Sequence, residues 1–464
     1  MKFTKFGKAL LLSALSAGVI LGVTSCIEDY SVGFLYVTGT VTSQSGGNGI
    51  ISGFKIDHNT GKLTPIAGLP ISSGGANPVR AVLLSGSRFL YVLNRGVNAA
   101  GNSDCTSADP CQNSNVTLFA VGGNGILTQQ ETFYSQGVNP FRIIADTTGK
   151  YLYVLDHDSP SSAACALALS FSPAACGDIT AFQIDPTTGR LQLIVNAQVT
   201  AANKEALPYF PVPANPVDFA ETGGFFITLT GSAPATSYPY TGGTSVFPYT
   251  FNSSSGQLTI NQNSVQTLTD GSTSANTTTS GAGVPAGTAL VSAGGILYVL
   301  DNNPISISFN GATTTSPSQL LPFSVGTNGA LLAQPGGIIP DDPTLSNPIF
   351  ILQEAKGKFV YVANQGNNTI GANADSGIAG YFITASPNFF LSFIPEEPFG
   401  SGADPQCLVE DPSGQYIYSA DFGDSIVTGR VVDPNSGNLT NLRTTTTYSL
   451  QGPATWCLID GRTG

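Results

Sequence analysis

A short run of aromatic, aliphatic, tyrosine and valine returns along the whole chain and limits what it can fold into. It reads Phe34-Leu35-Tyr36-Val37, Phe89-Leu90-Tyr91-Val92, Tyr151-Leu152-Tyr153-Val154, Phe225-Phe226-Ile227, Ile296-Leu297-Tyr298-Val299, Phe359-Val360-Tyr361-Val362 and Tyr416-Ile417-Tyr418-Ser419. The copies start about 55 to 74 residues apart. Short strands at that period predict a propeller in which each repeat is one four-stranded blade. The fold class is therefore all-β, a seven-bladed β-propeller.

Around each copy the strands can be lettered a to d from the ring axis outward. Strand a follows a proline, as at Asn77-Pro78, Asn139-Pro140, Asn215-Pro216, Asn347-Pro348, Asp404-Pro405 and Gly452-Pro453. A turn such as Asp146-Thr147-Thr148-Gly149 leads to the Tyr-Val strand b. Strand c reads Phe54-Lys55-Ile56-Asp57 or Phe182-Gln183-Ile184-Asp185, and a turn with Gly61 or Gly189 precedes a short strand d from Leu63 or Leu191. Glycine tolerates the positive φ such hairpins need. The first repeat begins at strand b, and the chain ends with a surplus strand a at Trp456-Cys457-Leu458-Ile459. Pairing the two closes the ring and leaves no open edge.

The N-terminus carries a different signal. Lys2, Lys5 and Lys8 precede an apolar run from Ala9 to Val23 and then Val23-Thr24-Ser25-Cys26. A basic segment, a short apolar segment and small residues before a cysteine read as a bacterial lipoprotein signal. The expected organisation is a signal peptide at 1–25, lipidation at Cys26, a tether at 26–33 and the propeller at 34–464. The apolar run is short for a bilayer span, so membrane contact is expected through the lipid anchor only. The protein is placed outside the cytoplasm.

Without the signal's three lysines, 14 basic residues face 29 acidic ones. That balance argues against nucleic acid and anionic membrane surfaces as partners. Six cysteines remain besides Cys26, an even number for an oxidising compartment. Cys105 with Cys111 and Cys165 with Cys176 are expected to staple local loops. Cys407 and Cys457 occupy matching places in two repeats, and their pairing is left open because equivalent positions on neighbouring blades are not evidently within disulfide reach. With two histidines in the chain and no paired metal-ligand spacing, neither a metal nor another cofactor is expected.

The repeated Pro-x-x-hydrophobic strand, glycine turn, Phe/Tyr-Leu-Tyr-Val strand and Phe-x-Ile-Asp strand with Thr-Gly-x-Leu together resemble the seven-bladed lactonase family. That family includes bacterial 6-phosphogluconolactonase and the fungal muconate-lactonizing enzyme, and the likeness runs from Phe34 to the C-terminus. It implies hydrolysis of a sugar-derived or other lactone. Several phosphogluconolactonase blades carry a histidine two residues after the strand-a proline. Here Arg80, Arg142, Asp218, Gly287, Phe350, Cys407 and Thr455 stand there instead.

Long segments gather on the face formed by b–c loops and d–a connections, at 96–114, 157–177, 231–244, 270–283 and 303–318. Loops on a rigid scaffold are where binding concentrates. Arg80 and Arg142 open successive strands a and Asp218 the next; Arg95 and His157 follow strands b of the first two of these blades. All five are expected in one sector of that face. Guanidiniums grip a carboxylate or phosphate bidentately, and His157 beside Asp156 or Asp158 fits a general base. The competing expectation is an Arg–Asp network that only ties blades together. Asn94, Asp156, Asp301, Asn364 and Asp421 end strands b and are expected to form turns. Two functions follow: a lactone hydrolase using His157 and an arginine-lined mouth, or a non-catalytic surface propeller that binds carbohydrate or a protein. The expected ligand is small and anionic or sugar-derived, and the expected state is monomeric. No nucleophile elbow or phosphate loop is present in the sequence.

Overall fold

In the computed structural model, residues 30–461 are described apart from 42–47, 85–87, 104, 162–164, 166–175, 199–205, 232–244, 261–265, 269–286, 310–311, 335–336, 367–374 and 385–390. The signal, Cys26, most of the tether and the segment 270–283 lie outside the described residues.

Seven antiparallel sheets form the blades of one ring. Blade 1 shows the plan: strands a to d are Pro78–Leu83, Phe89–Asn94, Asn115–Val121 and Leu127–Phe133. Strands a of blades 2 to 6 are Val138–Ala145, Pro216–Thr222, Gly287–Ala293, Pro348–Gln353 and Pro405–Glu410. Blade 7 joins the two ends of the chain. Its strand a is Ala454–Asp460, and strands b and c are Ser31–Thr40 and Asn48–Asp57. Val37 faces Cys457 and Tyr36 faces Leu458 across that closing ladder, so the surplus C-terminal strand completes the first blade as expected. In five blades the outer edge of strand c carries a second short strand beside strand d. A separate hairpin, Ile305–Phe309 with Ala312–Ser316, stands within the 303–318 loop.

Each seam between neighbouring blades holds its own apolar cluster. Leu90 and Val92 of blade 1 pack with Tyr36 and Ile51 of blade 7, whereas Tyr91 and Leu93 pack with Leu152 and Val154 of blade 2. Strand b is thus buried on both faces, which is why its sequence lacks polar alternation. A fully buried side chain of this size contributes roughly 1.5–3 kcal/mol. The tyrosines do a second job. Tyr36, Tyr91, Tyr153, Tyr361 and Tyr418 donate their hydroxyls to the carbonyls of Gly125, Gly189, Gly256, Gly437 and Gly61, each in the c–d turn of the next blade. Those glycines have φ between 66° and 81°, and a Cβ on Gly61 would lie 2.4 Å from the ring of Tyr416. The repeated tyrosine and the repeated turn glycine are two halves of one inter-blade bond. Tyr418 to Gly61 is the copy that ties blade 6 to blade 7.

Three disulfides are formed. Cys105–Cys111 and Cys165–Cys176 are the two local staples. Cys407–Cys457 is the third, with Cα atoms 5.9 Å apart. The ladder register explains its reach. Cys407 pairs with Ala420 directly after the strand's bulge, the place that Trp456 takes in blade 7. Cys457 is one residue further on, so the two cysteines are not equivalent, and the one-residue offset accompanies a bridge between adjacent inner strands. The same register moves two other expected positions. Thr455 is the bulge residue of blade 7, with Trp456 opposite Thr38; in blade 4, Ala289 stands where Gly287 was expected.

The strand-b terminal residues are also not turn formers. Asn94, Asp156, Asp301, Asn364 and Asp421 are fully buried. Asn94 donates to Ser73, Asn115 and Thr117, and Asp421 accepts from Thr428 at 2.6 Å. They satisfy polar groups inside the upper rim of the sheets. His58 is half-buried and meets the ring of Tyr30 edge-on at 5.8 Å.

Candidate functional site in the central channel

In every blade, strand a bulges near its start, after its first ladder pair or, in blade 2, after its second. Pro78 pairs with Asn94 and Arg80 with Leu93, so Val79 is the extra residue. A bulge bends a strand and re-aims side chains. Bulge residues Val79, Thr288, Ile349, Gln406 and Thr455 from five blades line one chamber of about 440 Å³, together with Asn347, Gln365 and Phe422. This chamber opens on the face of the long b–c loops. A second chamber of about 280 Å³ opens on the opposite face, where Thr147 sits in an a–b turn and Glu221 near the end of a strand a.

The partition between the two chambers is built from residues at or directly after the bulges. Arg80, Arg142, Ile349 and Trp456 contribute to both chambers. Arg142 donates from Nε to Asp218 at 3.1 Å and from Nη1 to the Phe141 carbonyl at 3.2 Å. Asp218 is buried and also accepts from the Leu290 and Phe219 amides. Its charge is therefore largely matched within the protein. Arg80 differs. Its guanidinium lies 3.6 Å from the Trp456 ring centroid, and that indole is fixed by a 3.1 Å bond to the Ala81 carbonyl and an edge contact with Phe350. Among the described residues no hydrogen bond or ion pair reaches Arg80. Burial and then the charge of Arg142 push the Arg80 guanidinium well below its ordinary value, with Asp218 acting the other way. A cation so placed is stabilised by any anion that reaches it.

Arg95 and His157 stand apart from this cluster. Arg95 reaches the Cys105 carbonyl at 3.5 Å, and its own carbonyl accepts from Ser114. His157 Nδ1 is 3.1 Å from Asp158 Oδ1, with Phe141 on its other side at 6.3 Å between ring centroids. Asp158 also accepts from Ser107 and Asn139. Burial opposes ionisation there, yet the bonds from His157, Ser107 and Asn139 outweigh it and hold the Asp158 carboxyl below its usual range. The expected single sector thus divides in two. Arg80, Arg142 and Asp218 meet at the waist of the channel, whereas Arg95 and His157 serve the stapled loop on the upper face. The physical reason is the bulge, which turns strand-a residues inward while the residue after strand b follows its loop.

The sequence reading passed over Trp456, Gln365, Gln406 and Asn347. These form a continuous rim: Asn347 donates to Gln365 at 2.8 Å, Gln365 to Gln406 at 3.1 Å, and Gln406 to Asp404 at 2.6 Å. The available signal was the residue immediately after the strand-a proline, and the chain's single tryptophan. Among the described residues, no group of three or more His, Cys, Asp or Glu side chains is arranged to hold a metal ion.

Fold and channel define the class, a closed seven-bladed β-propeller with a two-chambered axial channel. The family described as lactonase, 7-bladed β-propeller, matches residues 48–204, a part of the chain. Solved structures agree on the fold. A candidate 6-phosphogluconolactonase from Bacteroides fragilis superposes with a TM-score of 0.57 at 15% identity, covering 92% of this chain and 98% of that one. A periplasmic gluconolactonase from Pseudomonas aeruginosa gives 0.57 at 16%, with 92% and 98% covered. A hypothetical selenium-binding protein from Sulfolobus tokodaii gives 0.56 at 10%, with 93% and 94% covered. No curated protein is significantly similar in sequence.

Proposed function

We propose that this propeller is an exported lactonase-like protein that takes a small, anionic, sugar-derived ligand, a sugar lactone or the acid it opens to, in its upper chamber. The observation that carries the reading is Arg80, a guanidinium stacked on Trp456 in the chamber wall with no carboxylate of its own. Arg142, half engaged by Asp218, adds a second donor. The amide rim of Asn347, Gln365 and Gln406 suits hydroxyl groups, and the faces of Trp456 and Phe422 suit the C–H surface of a sugar ring.

Opening a lactone requires a polarised carbonyl and an activated water. The two guanidiniums meet the first need. For the second, His157 is the candidate base: if Nδ1–H donates to Asp158, Nε2 is left to take a proton. Binding without catalysis is the second reading. It is favoured by the chamber lining, which among the described residues holds neither a histidine nor a carboxylate.

The N-terminal signal and Cys26 supply the export and lipid-anchor parts of the proposal, and the three disulfides suit an oxidising compartment. Cys26→Ser should abolish lipid labelling, and unchanged labelling would remove the anchor. For the activity, the soluble domain is offered a panel of aldonolactones with and without chelator. Hydrolysis lost in both Arg80→Ala and His157→Ala supports the hydrolase. Gluconate binding without turnover selects the second reading, and neither binding nor turnover rejects both.

A further inference from the structure

The lower chamber has a chemistry of its own. Its walls come from the far ends of strands a, with Ile143, Ala145, Phe219, Val291 and Phe350 among them. Phe219 and Ile143 are buried from solvent, whereas Ala145 and Val291 are partly exposed toward the opening. Apolar walls thus lead inward from the a–b turn face to the partition, where Arg80 and Arg142 stand. At the opening, Glu221 is occupied by the amide of Thr147 at 2.7 Å and by its hydroxyl. An apolar tube whose inner end holds Arg80, bonded to no carboxylate, beside the Arg142–Asp218 pair fits an amphipathic anion entering tail-outward. Water at that end gains no comparable charge pairing, and a neutral alkane leaves the cation unmatched.

We propose that the lower chamber is a second ligand site, for a short-chain aliphatic carboxylate whose head group meets Arg80 and Arg142 from the side opposite the sugar-acid site. The two sites share the same two side chains, so their occupants oppose each other. By linkage, each ligand lowers the affinity of the other by the same factor. The lower site does not depend on the lactonase reading, because it needs only the apolar walls and the guanidinium.

The chain's only tryptophan stands in the partition, so its emission reports on both chambers. Hexanoate, hexanol and hexylamine are each titrated into the soluble domain, and gluconate serves as the probe of the upper chamber. Hexanoate is expected to give a saturable change in emission and to bind about tenfold or more tightly than hexanol, as for a charged hydrogen bond in a partly enclosed site. Ala145→Leu/Val291→Phe fills the lower chamber and is expected to remove the hexanoate response while leaving that to gluconate. A hexanoate response that is absent, matched by hexanol, or unchanged in the filled variant overturns the proposal. Should the filled variant not fold, the hexanoate-to-hexanol ratio of the unaltered protein decides. A response to hexanoate but not to gluconate keeps the lower site and removes the upper one.

Discussion

The seams between blades and the channel at their centre are built from the same strands but obey opposite rules. At the seams one solution is repeated. A strand-b tyrosine donates to the turn glycine of the next blade in five places, from Tyr36–Gly125 round to Tyr418–Gly61. Along the channel almost nothing repeats. The residues directly after the bulge are Arg80, Arg142, Asp218, Ala289, Phe350, Cys407 and Trp456. Repetition at the seams supplies stability and closure. The departures inside create a site with a direction and a charge, which a symmetric ring would lack.

The largest effect should come from breaking the seam where the chain ends meet. Removing the chain after Gly452 strips strand b of blade 7 of its inner partner and opens the cluster around Leu35, Val37, Tyr418 and Cys457. Cooperative unfolding should be lost, with aggregation through the freed edge. A truncated protein with an unaltered melting profile would show that closure lies elsewhere. Next in size is the bridge across the same seam. Cys407 and Cys457 close a segment with a sequence separation of 50, so Cys407→Ala/Cys457→Ala should cost about 4 kcal/mol by the loop-entropy relation. Cys105–Cys111 and Cys165–Cys176 span 6 and 11 residues, and removing either should cost only about 2–3 kcal/mol. Chemical denaturation of the three variants checks that order.

Acidity acts on carboxyls buried at both rims of the blades. Burial raises the carboxyls of Asp156 to about 7, of Asp341 and Asp421 to about 6 and of Glu410 to about 7, against roughly 4 in an unfolded chain. Asp178, beside Asp156, is raised too, by burial and then by its neighbour's charge. The folded state therefore holds more protons than the unfolded chain between these limits. The stability from these groups is fully present below about pH 4 and is lost as pH rises through about 6–7. The melting temperature should fall as pH rises from 5 to 8. A flat profile would mean these carboxyls are not buried as described. A single seam bond should matter least. Tyr91→Phe leaves the Gly189 carbonyl without its donor and should cost about 1–2 kcal/mol with no change in ligand affinity.

The contrast also explains which parts of the molecule could be read from the sequence. Phe89-Leu90-Tyr91-Val92 is legible because both its faces are buried, and Gly61 because its turn needs positive φ. The ring closure followed from counting strands. The channel was less legible because a bulge shows only when a strand is laid against its partner. Counting two residues from each proline found Arg80, Arg142 and Asp218, but in blade 7 it landed on Thr455 and missed Trp456 by one. That same single residue hid the Cys407–Cys457 bridge. His157 and Arg95 were grouped with the arginines because their positions after strand b are equivalent, yet their side chains follow the stapled loop instead.

The central claim is that Arg80 is the anion receptor of the channel and Arg142 chiefly its structural neighbour. Calorimetric titration of gluconate into the unaltered protein, Arg80→Ala and Arg142→Ala, with a melting curve for each, separates the two roles. Arg80→Ala should weaken binding by about 1.5–3 kcal/mol, the scale of a lost charged hydrogen bond, and leave the melting temperature nearly unchanged. Arg142→Ala should lower the melting temperature, because Asp218 is then buried without its partner. Unaltered gluconate affinity in Arg80→Ala would contradict the account.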